Sequence, residues 1–381
     1  MMRVSPVVLV AMMTGVVPVL QAQRVIVAEK LEILEARARQ DSNDAAAHYN
    51  VAMGYLSKRR YDDAERALRE AVRLESNFAD GYLALSMVHD ADDAYWKRLK
   101  KVSGDSGLEA ASEEYLKFYR RAFLTDPLVD IRILGGATRL YGWSRMRHAI
   151  EDLVEGEYAK AHDGLSKEIV LRYGNSSLKD VPESFLWLRG LAAAHAKRND
   201  AAITDFEHLA ERTAMDTLAD SAGTHLLRSN EYRYMLAALH HRNGSTDKAL
   251  ALYRTVLEHD LGVYMAHVQM ANILESQRRY GEAIDERRRA LNANPDDAIL
   301  LTDLGVTLGK SGQFAEAEQA LEQALEANAR DARPFFWLGL CQAQQGKREA
   351  ARDSFARFLA MAPSRWEKQI GLAKQRMAEL Q

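Results

Sequence analysis

Cysteine, proline and net charge are all scarce in this sequence. The 381 residues include one cysteine and seven prolines. A lone cysteine excludes an intrachain disulfide, so stability has to come from packing. Cys341 sits among apolar neighbours in a helical pattern and reads as a small buried hydrophobe rather than a reactive thiol. Lysine and arginine total 51 against 54 aspartate and glutamate, a formal charge of −3. No basic excess is available to hold a phosphate backbone, which argues against a nucleic-acid partner. Low proline in a chain rich in alanine, leucine, glutamate and arginine points to a mostly helical protein.

Catalytic signatures are missing as well. There is no His-Glu-x-x-His, no paired cysteine motif, no Gly-x-Ser-x-Gly elbow and no glycine-rich phosphate loop. The eleven histidines, with His240, His241 and His267 nearest to a cluster, read as surface or packing residues. The basic runs at 58–60, 97–101 and 287–289 lie in mixed-charge segments and read as solvated faces. The expectation is therefore no enzyme activity, no metal and no cofactor.

Long apolar runs are absent after the first twenty residues. The N-terminal stretch has Arg3, then an uncharged apolar run from Val4 to Leu20, then Leu20-Gln21-Ala22. This is the layout of an export signal over residues 1–22, cleaved after Ala22. The competing reading is an uncleaved membrane anchor, which Pro6 and Pro18 weaken as a spanning helix. An exported protein, periplasmic or secreted, is expected, with no stable membrane span once the signal is removed.

What the chain has in abundance is a 34-residue period. Residues 298–331 and 332–365 superpose without a gap, placing Gly305 on Gly339, Gly312 on Gly346, Ala317 on Ala351 and Leu321 on Phe355. Units at 264–297 and 230–263 follow the same register through Ala271, Ala283, Ala237, Gly244 and Ala249. Residues 183–216 fit through Gly190, Ala202 and Phe206, and residues 45–78 through Ala52, Ala64, Leu68 and Ala71. Each unit holds two amphipathic helices joined by a short turn. Small residues at the crossing points let the two backbones approach, and bulk at Gly305 or Ala317 would push them apart. Gly312 and Gly346 fall in the turns, where a left-handed backbone is often needed. Asp297 is placed to cap the helix that follows Pro295.

These positions resemble the tetratricopeptide repeat family. Residues 332–365 carry Phe335, Leu338, Gly339, Ala351, Phe355 and Pro363 at the family's places, and 264–297 carry Met270, Ala271, Leu274, Ala283, Ala290 and Pro295. The pattern departs at His267, Arg287, Gln342 and Phe358. The resemblance implies an all-α, right-handed superhelical solenoid of helix-turn-helix repeats. The expected organisation is a divergent N-terminal array with an insertion over 23–182, a regular array over 183–365 and a capping helix over 366–381. The inserted stretch over 90–127, closed by Asp126-Pro127, is expected to lengthen both helices of its unit.

In this family the first helices of the units line a concave groove. The places that face it hold Tyr49, Trp187, Tyr234, His241, Arg242, Asn272, Lys310, Arg333 and Phe336. The resemblance thus implies a non-enzymatic scaffold that binds a protein or peptide partner in the groove. Two other readings stand beside it. One is a structural or oligomeric subunit of a cell-envelope assembly, and the other is an accessory factor whose activity sits in 92–182. The sequence leaves the oligomeric state open.

Overall fold

The structure, a computed structural model, describes residues 30–89, 92–129, 148–149, 151–153, 155–174, 178–215 and 229–380. The export-signal and cleavage-site reading of residues 1–22 lies outside the described residues. Among the described residues every regular element is a helix, and none is long and apolar enough to cross a membrane. The chain divides into two compact units. One contains Leu56–Tyr61 and Tyr82–Leu261, the other Val27–Tyr55, Asp62–Gly81 and Gly262–Gln381.

The second unit begins with α1 (Leu31–Gln40) and most of α2 (Ala45–Ser57), followed by α3 (Tyr61–Leu74). Helices α4 (Ala79–Met87), α5 (Asp93–Thr125), α6 (Tyr158–Tyr173), α7 (Glu183–His195), α8 (Asn199–Met215), α9 (Ser229–Arg242) and α10 (Thr246–His259) come next. The chain closes with α11 (Met265–Ser276), α12 (Tyr280–Ala293), α13 (Ala298–Ser311), α14 (Phe314–Ala327), α15 (Arg333–Gln344), α16 (Arg348–Met361) and α17 (Glu367–Glu379).

The 34-residue register is reproduced in three dimensions. Second helices begin at Tyr61, Asn199, Thr246, Tyr280, Phe314 and Arg348, at one constant offset from the repeat starts read in the sequence. The turn before each one contains a positive φ at the same place. It is met by Gly244, Gly312 and Gly346 at φ 77, 87 and 74°, and by Arg59, Lys197 and Arg278 at 57, 61 and 61°. A left-handed residue there reverses the chain tightly, and glycine adopts it without the Cβ penalty. Asp297 caps α13 as expected, accepting from the amides of Ile299 and Leu300 at 2.9 and 3.3 Å.

Packing inside each hairpin follows a small-against-large rule. A Cβ added at Gly190 would lie 2.9 Å from the ring of Phe206, and one at Gly339 would lie 2.7 Å from that of Phe355. The large partner recurs as Leu68, Phe206, Tyr253, Leu321 and Phe355, all fully buried. One unit breaks the rule, because its large position is Arg287, itself only 5 % exposed.

The insertion does not lengthen two helices. Gly104 inside α5 has φ 66° and ψ −161°, a conformation for which only glycine is suited. The hydroxyls of Tyr95 and Tyr115 lie 3.0 Å apart. Twenty residues of straight helix would separate them by about 30 Å. The chain therefore doubles back at Gly104, and residues 93–103 form an extra helix laid along 105–125. His89 and Trp96 complete the aromatic contact, His89 stacking on Tyr95 at 3.8 Å and Trp96 meeting Tyr115 at 6.0 Å.

Cys341 is buried in the core of the last repeats, as read from the sequence. Burial, helped by the charge of Glu318, pushes its thiol up to about 11. Alkylation of the folded protein by iodoacetamide at pH 8 should run more than about 100-fold slower than in denaturant. Mass spectrometry of the quenched reaction gives the ratio, and comparable rates in the two states would contradict the burial.

Candidate binding groove

In the second unit the first helices α11, α13 and α15 stand side by side, and their faces carry a connected polar strip. At its centre is Arg287, which reaches from the second helix α12. Its Nε donates to Thr307 Oγ1 at 2.6 Å and its Nη2 donates to Asn272 Oδ1 at 3.0 Å and to Glu275 Oε2 at 3.2 Å. Nη1 approaches Asp303 Oδ2 at 3.4 Å. One planar fork thus ties together α11, α12 and α13. A buried cation survives here because its donors meet acceptors on both neighbouring helices.

Glu275 is the hub on the acidic side. It accepts from Arg287, from Thr307 Oγ1 at 2.7 Å and from Lys310 Nζ. Burial raises the carboxyl's pKa, but the bonds from Lys310 and Thr307 and the charges of Lys310 and Arg287 outweigh it, so Glu275 stays below the ordinary glutamate range. Asp303 behaves oppositely. Desolvation pushes it up more strongly than Arg287 and Arg333 pull it down, although 30 % of its side chain is exposed. Lys310 also lies 5.6 Å above the ring of Trp337 on α15, so its ammonium is held between a carboxylate and an aromatic face.

Two other departures from the repeat pattern are settled in the same manner. His267 Nδ1 meets Glu286 Oε2 at 2.6 Å. Gln342 accepts from Ser354 at 2.8 Å and donates to Glu318 at 3.1 Å. Polar substitutions at core positions are each matched by a buried polar partner, as satisfied networks require.

The nine groove residues read from the sequence separate into three groups. Asn272 and Lys310 are joined through Arg287 and Glu275, and Arg333, at the start of α15, reaches this strip through its charge on Asp303. Arg333 is fixed by Asp331, with Nε–Oδ2 at 2.9 Å and Nη2–Oδ2 at 2.5 Å. Tyr234 and Phe336 are core residues, 1 % and 8 % exposed. Tyr234 donates its hydroxyl to the carbonyl of Leu124 at 2.5 Å, and Phe336 packs on Phe358 at 5.1 Å. Neither presents a surface to a partner, because the long insertion helix and the last repeat cover them. The other four are dispersed. Tyr49 packs edge-on against Phe78 at 5.1 Å, and Trp187 lies against the core of the first unit. Arg242 grips both oxygens of Asp126 at 3.0 Å. Burial, then the neighbouring Arg242, lowers the pKa of His241.

Reading the sequence missed Glu275, Asp303, Arg287 and Trp337 as parts of this strip. The usable signal was a charge at position 287, where the other units place a large apolar side chain.

The fold and strip are those of a helical-repeat protein. Tetratricopeptide repeat profiles match residues 45–78, 261–330 and 302–365, so the chain carries tetratricopeptide repeats. Among curated proteins, the probable UDP-N-acetylglucosamine–peptide N-acetylglucosaminyltransferase SPINDLY of Arabidopsis thaliana is 34 % identical over 88 residues. That match covers 23 % of this chain and 10 % of SPINDLY. The general transcriptional corepressor ssn6 of Schizosaccharomyces pombe is 25 % identical over 143 residues, 37 % of this chain and 13 % of that protein. The chain thus spans about a tenth of the length of the curated relatives it matches. Among solved structures, the C-terminal part of a TPR repeat-containing protein from Cytophaga hutchinsonii aligns with a TM-score of 0.48 at 13 % identity. It covers 62 % of this chain and 87 % of that one. YrrB, described as a TPR protein with an unusual peptide-binding site, aligns with a TM-score of 0.33 at 26 % identity over 39 % of this chain and 81 % of its own.

Proposed function

We propose that this protein is a non-enzymatic interaction scaffold that holds a protein or peptide segment along the first helices of its C-terminal repeats. One observation carries this reading. Asn272, Lys310 and Arg333 stand on three adjacent helices and are pre-set by a buried guanidinium, a carboxylate hub and an aspartate clamp. Side chains held in place before binding lose little entropy when a partner arrives, which favours recognition. Asp303 and Trp337 add an acceptor and an aromatic face beside them. Residues 1–22 are proposed as an export signal, which sets the role outside the cytosol.

The test is a photo-crosslinking amino acid at Val306, between Asp303 and Lys310, in the native cell. A discrete protein adduct is expected. The pair Asn272→Ala and Lys310→Glu should reduce it by about tenfold, as loss of two interface anchors does. No adduct, or an adduct indifferent to both substitutions, would exclude the groove reading.

A further inference from the structure

A second surface lies at the edge of the C-terminal repeats, on the turns that follow α14 and α16. Asn328 Nδ2 donates to the carbonyl of Arg73 at 2.9 Å. The amide of Ser364 donates to Asp41 Oδ2 at 2.7 Å. Arg365 forks between two carboxylates, with Nε to Asp44 Oδ1 and Nη2 to Glu75 Oε2, both at 2.6 Å. Arg330 Nη2 stands 3.6 Å from Glu70 Oε1. These contacts close over sequence separations of 255 to 323 residues.

Their polarity is one-sided. All of the donors belong to the C-terminal edge, and all of the acceptors to the N-terminal hairpin formed by α2, α3 and the turn before them. We propose that this arginine edge is a docking surface for an acidic protein segment, and that the chain's own N-terminal hairpin is its resident, displaceable occupant.

The physical basis is the contrast between two kinds of junction. Within a hairpin, small residues lock into large apolar ones, as Gly339 does under Phe355. At this edge the contacts are hydrogen bonds and ion pairs, and the side chains of Arg330 and Arg365 stay 52 % and 40 % exposed. Exposed ion pairs contribute little each and are screened by salt. An external acidic segment offers the same groups in the same geometry, so it competes on equal terms. The hairpin also specifies the chemistry. Asp41 and Asp44, three positions apart in one turn, meet the adjacent Ser364 amide and Arg365. A partner with two carboxylates spaced three residues apart before a helix reproduces that contact. This edge lies on inter-repeat turns rather than on first-helix faces, so it stands or falls independently of the groove.

Hydrogen exchange of the full chain, read by mass spectrometry at low salt, tests the proposal. Octa-aspartate in excess should speed exchange of the amides in 45–50 and 70–75 by roughly threefold or more, while those in 314–327 stay unchanged. Octa-lysine should do nothing. Arg365→Glu should speed the same amides without added peptide, at unchanged helicity by circular dichroism. Adding Glu75→Arg to that variant should restore most of the protection. The proposal is overturned if octa-aspartate has no effect, if octa-lysine acts equally, or if Arg365→Glu exchanges like the unaltered chain. Loss of helicity in Arg365→Glu that Glu75→Arg does not repair would also count against it, since the contact would then be structural rather than displaceable.

Discussion

Arg287→Ala is expected to destabilise the C-terminal repeats by about 3–5 kcal/mol, the range for removing one partner of a buried charge network. The side chain is 5 % exposed and is bonded to Thr307, Asn272 and Glu275, with Asp303 close by. Alanine would leave two carboxylates beside an emptied guanidinium site. The loss should be read from the urea midpoint and from exchange of amides in α13, since repeat arrays can open piecewise. Glu275→Gln with Asp303→Asn in the alanine background should recover much of it, because the uncompensated charges are then gone.

The same network sets a pH signature. Glu275 has its folded-state pKa lowered, so its contribution is present above the unfolded value and is lost as pH falls through the folded one. Asp303 has its folded-state pKa raised, so its charged form opposes folding near neutrality and that opposition is relieved on acidification. Without Arg287 both carboxylates gain stability by protonation. The gap between Arg287→Ala and the unaltered chain should therefore narrow as pH falls from 7 toward about 4. A gap that stays constant or widens would mean that Arg287 acts through packing alone.

Gly305→Val is expected to destabilise by about 3 kcal/mol, at the upper end of overpacking effects. A Cβ at this position would lie 2.5 Å from Leu321 Cγ, 2.8 Å from its Cδ2 and 3.1 Å from the backbone oxygen of Ala317. The backbone oxygen cannot move aside without displacing α14. Glycine in mid-helix is unfavourable by about 1 kcal/mol relative to alanine, so propensity alone would favour a larger residue here. Gly371 in α17 isolates that effect, because a Cβ there meets nothing within 4 Å. Gly371→Ala should stabilise α17 by up to about 1 kcal/mol. If Gly305→Ala gave the same gain as Gly371→Ala, the close crossing of α13 and α14 would be disproved.

Gly305 is constrained by a partner sixteen positions away, and that short reach is why the repeat was legible in the sequence. The hairpin is a local object. Its two helices, its turn and its small-into-large contact all lie within 34 residues, so the period in the sequence carried them directly. Gly305 against Leu321 and the left-handed Gly312 could both be read this way. Groove membership was only partly so. Asn272, Lys310 and Arg333 share a strip, but Tyr234 and Phe336 occupy equivalent register positions and are buried by neighbours outside their own first helices.

By itself, the sequence determined the helical class, the repeat period, the capping by Asp297 and the burial of Cys341. Each rests on residues a few positions apart, or on a pattern that recurs. Only the tertiary structure decided that Arg287 organises a polar strip across three helices, that the chain reverses at Gly104, and that Asp44 and Glu75 meet Arg365. Those outcomes depend on which distant side chains share a low-dielectric volume or an edge, and no local spacing encodes that.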